Sequence, residues 1–253
     1  IIQSPYFVLS ASTRKFFTKL RKKTPALSVT VSSNSFGSTD NVMAYAANYK
    51  LRSAYIEGLG FDVHEYKPHP EDLRTVFPAF DTYNALGQEG VARGTQNRLP
   101  FLCVHAKSLV VDGRISYVGS FNLDPRSEHL NTEVGLLIED AAVAAQLKAT
   151  IQGDCRPGNS WVIAKKQMPL GTDKVNALVE GMMMVSPIDL WPVRNTSSFE
   201  LRVGKPSVPP GHVDFYTNHR DAGEFPGAPD GLSTKEIITR IYKTVGGVTI
   251  PIL

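Results

Sequence analysis

Apolar positions recur along this chain in two rhythms, every second residue over short runs and every third or fourth over longer ones. Residues 1–9 predict a strand with a proline near one end. Ser10 or Ser12 can cap a helix over residues 13–23, where Phe16, Phe17 and Leu20 share a face and the last turn is basic. Residues 27–32 alternate and predict the next strand, and a polar, Gly-containing loop follows over 34–41. Asp40 or Asn41 can then cap a helix through residue 57, with Met43, Ala47, Leu51 and Ala54 at helical spacing; Gly58 and Gly60 end it. Residues 61–66 predict a further strand. Residues 67–100 hold several prolines and glycines and read as a long loop with room for a short helix.

The apolar run 101–104 predicts a buried strand in which His105 and Lys107 share one face and which continues through 109–111. Asp112-Gly113 is a hairpin signal, answered by a second strand over 115–118. Residues 133–139 predict a strand, Asp140 caps a helix over 141–151, and 161–164 predict one more strand. Strands and helices in this alternation predict the α/β class, a mixed β-sheet flanked by helices. The character changes near residue 165, which divides a lobe, 1–164, from a less regular C-terminal extension, 165–253. Within the extension, residues 176–185 predict a helix whose Met182, Met183 and Met184 read as core filler. Residues 199–226 read as irregular. Ser233 and Glu236 form a capping box for a helix with Ile237, Ile238, Ile241 and Val245 on one side. Surface helices packed on their own domain and interfacial membrane helices share that pattern.

The 253 residues can bury a good core, and 42% hydrophobic with 20% charged residues suits a globular protein. No apolar run approaches the roughly 18 residues of a membrane-spanning helix. A net charge of +3 permits an anionic substrate or surface but argues against a dedicated nucleic-acid binder. The two cysteines make no disulfide framework: Cys103 reads as a buried strand thiol, and Cys155 lies in a polar loop. His212, His219, Asp214 and Asp221 share a loop without a tight ligand motif, so no metal and no cofactor is expected. The chain opens on IIQSPYFV, with no initiator Met and no charged leader, as expected of a piece cut from a longer protein.

His105, Lys107, Ser120 and Asn122 are the residue types that phosphate-ester chemistry uses. An imidazole can attack phosphorus or pass a proton near neutral pH. An ammonium and amide or hydroxyl donors can hold phosphoryl oxygens, and Gly119 lets backbone approach a ligand. The spacing His105-x-Lys107-x4-Asp112-x6-Gly119-Ser120-x-Asn122 resembles the HKD signature of the phospholipase D superfamily. The segments SPYFV (4–8), NSFGSTD (34–40), LDPRS (123–127), LNTE (130–133) and SPIDLW (186–191) resemble its bacterial cardiolipin synthase branch, especially the C-type synthases.

The resemblance implies half of a two-lobed α/β/α body and a metal-independent phosphodiester chemistry in which two HKD motifs meet. One histidine attacks phosphorus; the other protonates the leaving alcohol and activates the acceptor. On this chain it implies that His105 is one of the pair, that Lys107 and Asn122 hold phosphoryl oxygens with Ser120 in support, and that Glu133 orients the histidine. Asp112 is expected to pin the hairpin, and Tyr6 and Asn34 to line the pocket. Neither His64 nor His69 is followed by a second such pattern. The missing motif is therefore expected from an N-terminal half of the same protein or from a second copy. The expected partners are a phospholipid and a peripheral membrane surface on the cytoplasmic face. A homodimeric nuclease and a catalytically incomplete module that binds phospholipid or a partner chain are the rival readings.

Overall fold

Three parallel strands form the middle of the sheet: β1 (Ile2–Gln3), β2 (Thr30–Asn34) and β3 (Asp62–Tyr66). The computed structural model describes residues 1–95, 99–167, 195–228 and 237. On one side β1 is followed by β4 (Ser108–Val111), β5 (Ile115–Gly119) and edge strand β6 (Gly135–Glu139), all antiparallel. On the other side β3 is followed by β7 (Ser160–Lys165), β8 (Thr196–Leu201) and β9 (His219–Gly223), again antiparallel. The result is a mixed nine-stranded sheet among the described residues.

Helices cover it. Ser10 caps α1 (Ala11–Lys23) with its side chain on the Thr13 amide, and the basic last turn suits the helix dipole. Asn41, rather than Asp40, caps α2 (Val42–Ser53), its side chain accepting from Met43 and Ala44; a π turn, Ala54–Gly58, extends that helix. Between these helices and the sheet lies the main core, with Phe7, Val8, Leu9, Val31, Leu51, Tyr55, Phe61, Val63 and Ile163 buried. α6 (Ala141–Asp154), capped by Asp140, packs on β4 and β5.

Four regions differ from the sequence reading. Residues 67–100 carry α3 (Leu73–Val76) and a full helix, α4 (Phe80–Ala92), which its Gly87 and Gly90 and the lack of a capping side chain conceal. Residues 101–107 are not a strand: the Asn34 side chain holds Val104 and single backbone bonds hold Leu102 and Lys107, so no continuous ladder forms. A short helix, α5 (Pro125–His129), capped by Asp124, occupies the LDPRS segment. Residues 199–226 are not irregular throughout: β8 runs into them, and α7 (Phe215–Asn218) leads into β9, so the extension continues the same sheet. The helices predicted over 176–185 and from Ser233 lie outside the described residues, Ile237 excepted. Cys103 is exposed rather than buried, and Cys155 caps α6, where burial pushes its thiol up to about 12.

A buried ion pair sits beneath α2. Arg52 Nε donates to Glu65 Oε1 at 3.0 Å, and its Nη2 donates to Glu65 Oε2 and, at 2.9 Å, to the Tyr45 hydroxyl. Both side chains are almost fully buried, at 1% and 0% exposure. Burial pushes the Glu65 carboxyl up, against the pull of Arg52. Burial also opposes the Arg52 charge, but Glu65 together with Tyr45 and Tyr49 outweighs it. The pair locks α2 to β3, and Arg52 Nη1 also reaches the Glu224 carbonyl in the extension at 3.4 Å.

Candidate active site

The β4–β5 hairpin sets the site's geometry. Asp112 and Gly113 both adopt positive φ, 51° and 65°, in a tight turn closed by Arg114 N donating to Val111 O at 3.1 Å. The turn fixes Ser108 opposite Val118 and Leu109 opposite Tyr117. Gly119 N then donates to Lys107 O at 3.1 Å, so the far end of the hairpin brings the 119–122 loop beside Lys107. Gly119 pairs with Gly135, and the Tyr117 ring lies across both: a Cβ on either would fall within 2.3 Å of a Tyr117 side-chain atom.

Asn34 replaces a strand partner for the next segment. Its Nδ2 donates to Val104 O at 2.9 Å, and its Oδ1 accepts from Val104 N at 2.9 Å. Leu102 N donates to Pro68 O at 3.0 Å. These anchors present His105 at the surface, one residue beyond Val104. Lys107 Nζ lies 2.9 Å from His105 Nδ1 and 2.8 Å from His105 O. Burial lowers the Lys107 pKa, with Asp40 and Glu133 pulling the other way. The Tyr6 ring meets the His105 ring edge-on, centroids 6.1 Å apart. Tyr6 donates its hydroxyl to Asp40 Oδ2 at 3.0 Å. Burial and then that carboxylate push its pKa up to about 12, so Tyr6 stays a neutral donor.

Ser120 Oγ donates to Glu133 Oε2 at 2.5 Å and accepts from Val134 N at 2.9 Å, closing the loop against the β6 approach. Glu133 also accepts from Asn131 Nδ2 at 3.0 Å, and these bonds, Ser120 foremost, hold its carboxyl below the usual range. The structure thus spends the Glu133 carboxylate on Ser120 and Asn131, whereas the resemblance gave it the histidine. Asn122 N donates to Ser127 Oγ at 3.2 Å, and its Oδ1 is buried with no partner among the described residues. Beside this rim lies a cleft of about 230 Å³ lined by the polar Tyr6, Asn41, Asn122, Asp124, Arg126 and Asn131 and by the apolar Val8 and Ala44. Asn34 is 1% exposed and stands behind the site, holding Val104 rather than lining the cleft. Asp112 sits at the exposed turn, far along the hairpin from the loop.

A family model described as cardiolipin synthase, PLD-like domain matches residues 28–155, about half of the chain. The chain belongs to this phospholipase D-like family. Cardiolipin synthase C of Escherichia coli K12 is 30% identical over 144 residues, which cover 56% of this chain and 26% of that protein. The major cardiolipin synthase of Bacillus subtilis is 36% identical over 104 residues, 41% of this chain and 21% of that one. The chain therefore spans about a quarter of the length of these synthases. Two solved structures align at low similarity. The phospholipase D family member Nuc from Salmonella typhimurium is 18% identical, with a TM-score of 0.39 over 62% of this chain and 77% of that one. The phosphatidylserine synthase of Haemophilus influenzae is 20% identical, with a TM-score of 0.39 over 62% of this chain and 32% of that one.

In this phospholipase D-like lobe the matched histidine and lysine come together with Tyr6, while Asn122, Ser120 and Glu133 form the adjoining loop. Arg126, Asn131, Asp124 and Asn41 were missed as cleft residues. The first three lie in segments 123–127 and 130–133, so their signal was present; what sequence spacing lacks is the α5 turn that folds them toward Tyr6. Asp124 caps α5 by accepting from Ser127 N at 2.7 Å, and burial raises its pKa. Arg126 Nε donates to Asn131 Oδ1 at 3.1 Å, which fixes its charge at the cleft.

Proposed function

We propose that this phospholipase D-like lobe supplies one of the two histidines of a site that exchanges the alcohol of a phospholipid phosphodiester. The other histidine attacks phosphorus: a P–N bond forms as the P–O bond to the leaving alcohol breaks. His105 gives that alcohol its proton. An acceptor then enters, His105 takes its hydroxyl proton, a P–O bond forms, the P–N bond breaks, and the first imidazole is regenerated. Lys107 holds phosphoryl oxygens with its ammonium, and Asn122 with its amide. Residues 1–164 form the catalytic lobe and 165–253 an extension. The single observation that carries this reading is the imidazole of His105, presented at an open rim with the Lys107 ammonium against it and a polar cleft alongside.

The need for a second half rests on the same geometry. His64 is paired with Asp62 Oδ2 at 3.1 Å, and His69 with the Pro100 carbonyl at 3.1 Å, so both are engaged elsewhere. Leu130, Val134, Leu136 and Leu137 are exposed around edge strand β6, beside Ser120. Leu136 and Leu137 project from opposite faces of β6, so the whole edge is apolar, and an apolar edge next to an open site suits a half-to-half interface. No helix among the described residues is long and apolar enough to cross a membrane. The phospholipid substrate of this reading is what places the protein at a membrane surface.

The test is turnover of phosphatidylglycerol vesicles by the full-length protein, read as release or transfer of the headgroup. Lys107→Arg keeps the charge but replaces a compact ammonium with a planar fork. The expected loss is at least about tenfold, equivalent to ~1.4 kcal/mol of transition-state stabilisation. Because burial lowers the Lys107 pKa, its charge is present at low pH and lost as pH rises through a value below the ordinary 10.5. The alkaline limb of the wild-type rate should therefore fall before pH 10.5, and Lys107→Arg should remove that limb. Near-normal turnover in Lys107→Arg would show that a diffuse charge suffices.

A further inference from the structure

The turn that follows β9 lies outside the residues matched by the family model, yet it rests on both anchors of the His105 segment. Phe225 packs between α2 and the 34–41 loop, with ring centroids 4.9 Å from Tyr49 and 5.6 Å from Phe36. The Glu224 carboxylate takes the Tyr49 hydroxyl and, at 2.5 Å, Lys166 Nζ, while Arg52 Nη1 reaches its carbonyl. Gly227, at φ 69°, lies directly against Gly37: a Cβ on Gly37 would stand 2.3 Å from Gly227 O. Pro68 is wedged against both glycines, since a Cβ on either would meet its ring at 3.0 Å.

From these two contact points the path to His105 is short. Gly37 belongs to the loop that begins at Asn34, whose amide holds Val104 N and O, and ends at Asp40, which holds the Tyr6 hydroxyl. Ser38 ties the same loop to Tyr66 O at 2.8 Å. Pro68 O accepts from Leu102 N. The turn thus bears on each side chain or carbonyl that fixes residues 102–104, and on the aromatic ring beside His105.

We propose that residues 224–227 form a strap whose Phe225 and Gly227 are positioning residues for His105, acting through Asn34, Asp40 and Pro68. This rests on His105 being the reacting imidazole. An imidazole misplaced by about 1 Å can lose on the order of 10²-fold in rate, so a brace on its backbone reaches the chemistry without touching substrate. The strap's direct contacts, Tyr49, Phe36, Gly37 and Pro68, do not line the cleft, so it acts on kcat more than on KM.

The experiment uses the full-length protein with Phe225→Ala, the milder Phe225→Leu, and Gly37→Ala. Amide hydrogen exchange at Leu102 and Val104 is measured beside the β5–β6 ladder as an internal control, together with kcat and KM on phosphatidylglycerol vesicles. Phe225→Ala and Gly37→Ala are expected to speed exchange at Leu102 and Val104 at least about tenfold, with the β5–β6 amides within about twofold. In both variants kcat should fall at least about tenfold and KM stay within about threefold, and Phe225→Leu should recover most of both losses. Unchanged exchange at Leu102 and Val104, or acceleration equal to that of the β5–β6 ladder, overturns the strap. Retained turnover in His105→Ala would instead overturn the reading of the site, and would leave the exchange result standing.

Discussion

His105→Ala in the full-length protein is expected to lower phospholipid turnover by about 10²-fold or more, the usual contribution of a positioned general acid or base. The fold should survive the change. His105 is exposed, its segment is held by Asn34 and Pro68 through backbone of Val104 and Leu102, and the hairpin beside it is fixed by its own turn. The variant loses one edge contact to Tyr6 and the Lys107 contact, both at the surface rim. A melting temperature near that of wild type together with the collapse in rate would assign the loss to chemistry. Turnover within about tenfold of wild type would remove His105 from the reaction.

The largest stability effect is expected at Arg52. Arg52→Ala leaves Glu65 buried and unpaired, which costs about 3–5 kcal/mol in comparable settings. Exposed pairs such as Arg74–Asp81 should contribute far less. Burial holds the Glu65 carboxyl above its ordinary 4.5, so its contribution to stability is fully present below that value and is lost as pH rises through the folded-state value. Removing Arg52 removes the largest counter-pull on that pKa and leaves the weaker one of the Tyr45 hydroxyl, so the variant's deficit should be smallest in acid and grow toward neutral pH. Denaturant unfolding across that range measures it. The double variant Arg52→Met with Glu65→Leu should recover much of the loss, because it removes both charges from the interior. A flat pH response in Arg52→Ala would mean that Glu65 is rehydrated on losing its partner.

What the sequence made legible follows from which interactions are local. Helix caps at Ser10, Asn41 and Asp140 and the Asp112-Gly113 turn are decided within a few residues, and these elements stand where periodicity placed them. The mixed sheet followed from alternation of strands and helices. Residues 101–107 misled because the apolar run 101–104 is real while Val104 is held by the side chain of Asn34, 70 positions earlier, and not by a strand ladder. Helix α4 was hidden by glycines, and β9 by polar, turn-rich surroundings that a neighbouring strand overrides. At the site, spacing singled out His105, Lys107 and the Gly119–Asn122 loop as candidates, and the structure places them side by side; the bond from Ser120 to Glu133 depends on how the loop closes against the β6 approach. Nor could it place Arg126 and Asn131 at the cleft, since that depends on how α5 turns.

The central claim is that one imidazole from this chain is necessary and insufficient, because attack on phosphorus and protonation of the leaving alcohol need groups on opposite sides of one phosphodiester. It is tested most directly by assaying this chain, verified as a monomer by mass at the assay concentration, on phosphatidylglycerol vesicles with and without a separate polypeptide segment carrying a second HKD motif. The expected result is no turnover by the monomer, recovery on adding the second segment, and no recovery when His105→Ala replaces the wild-type chain. Turnover by the monomer alone, dependent on His105, would contradict the account.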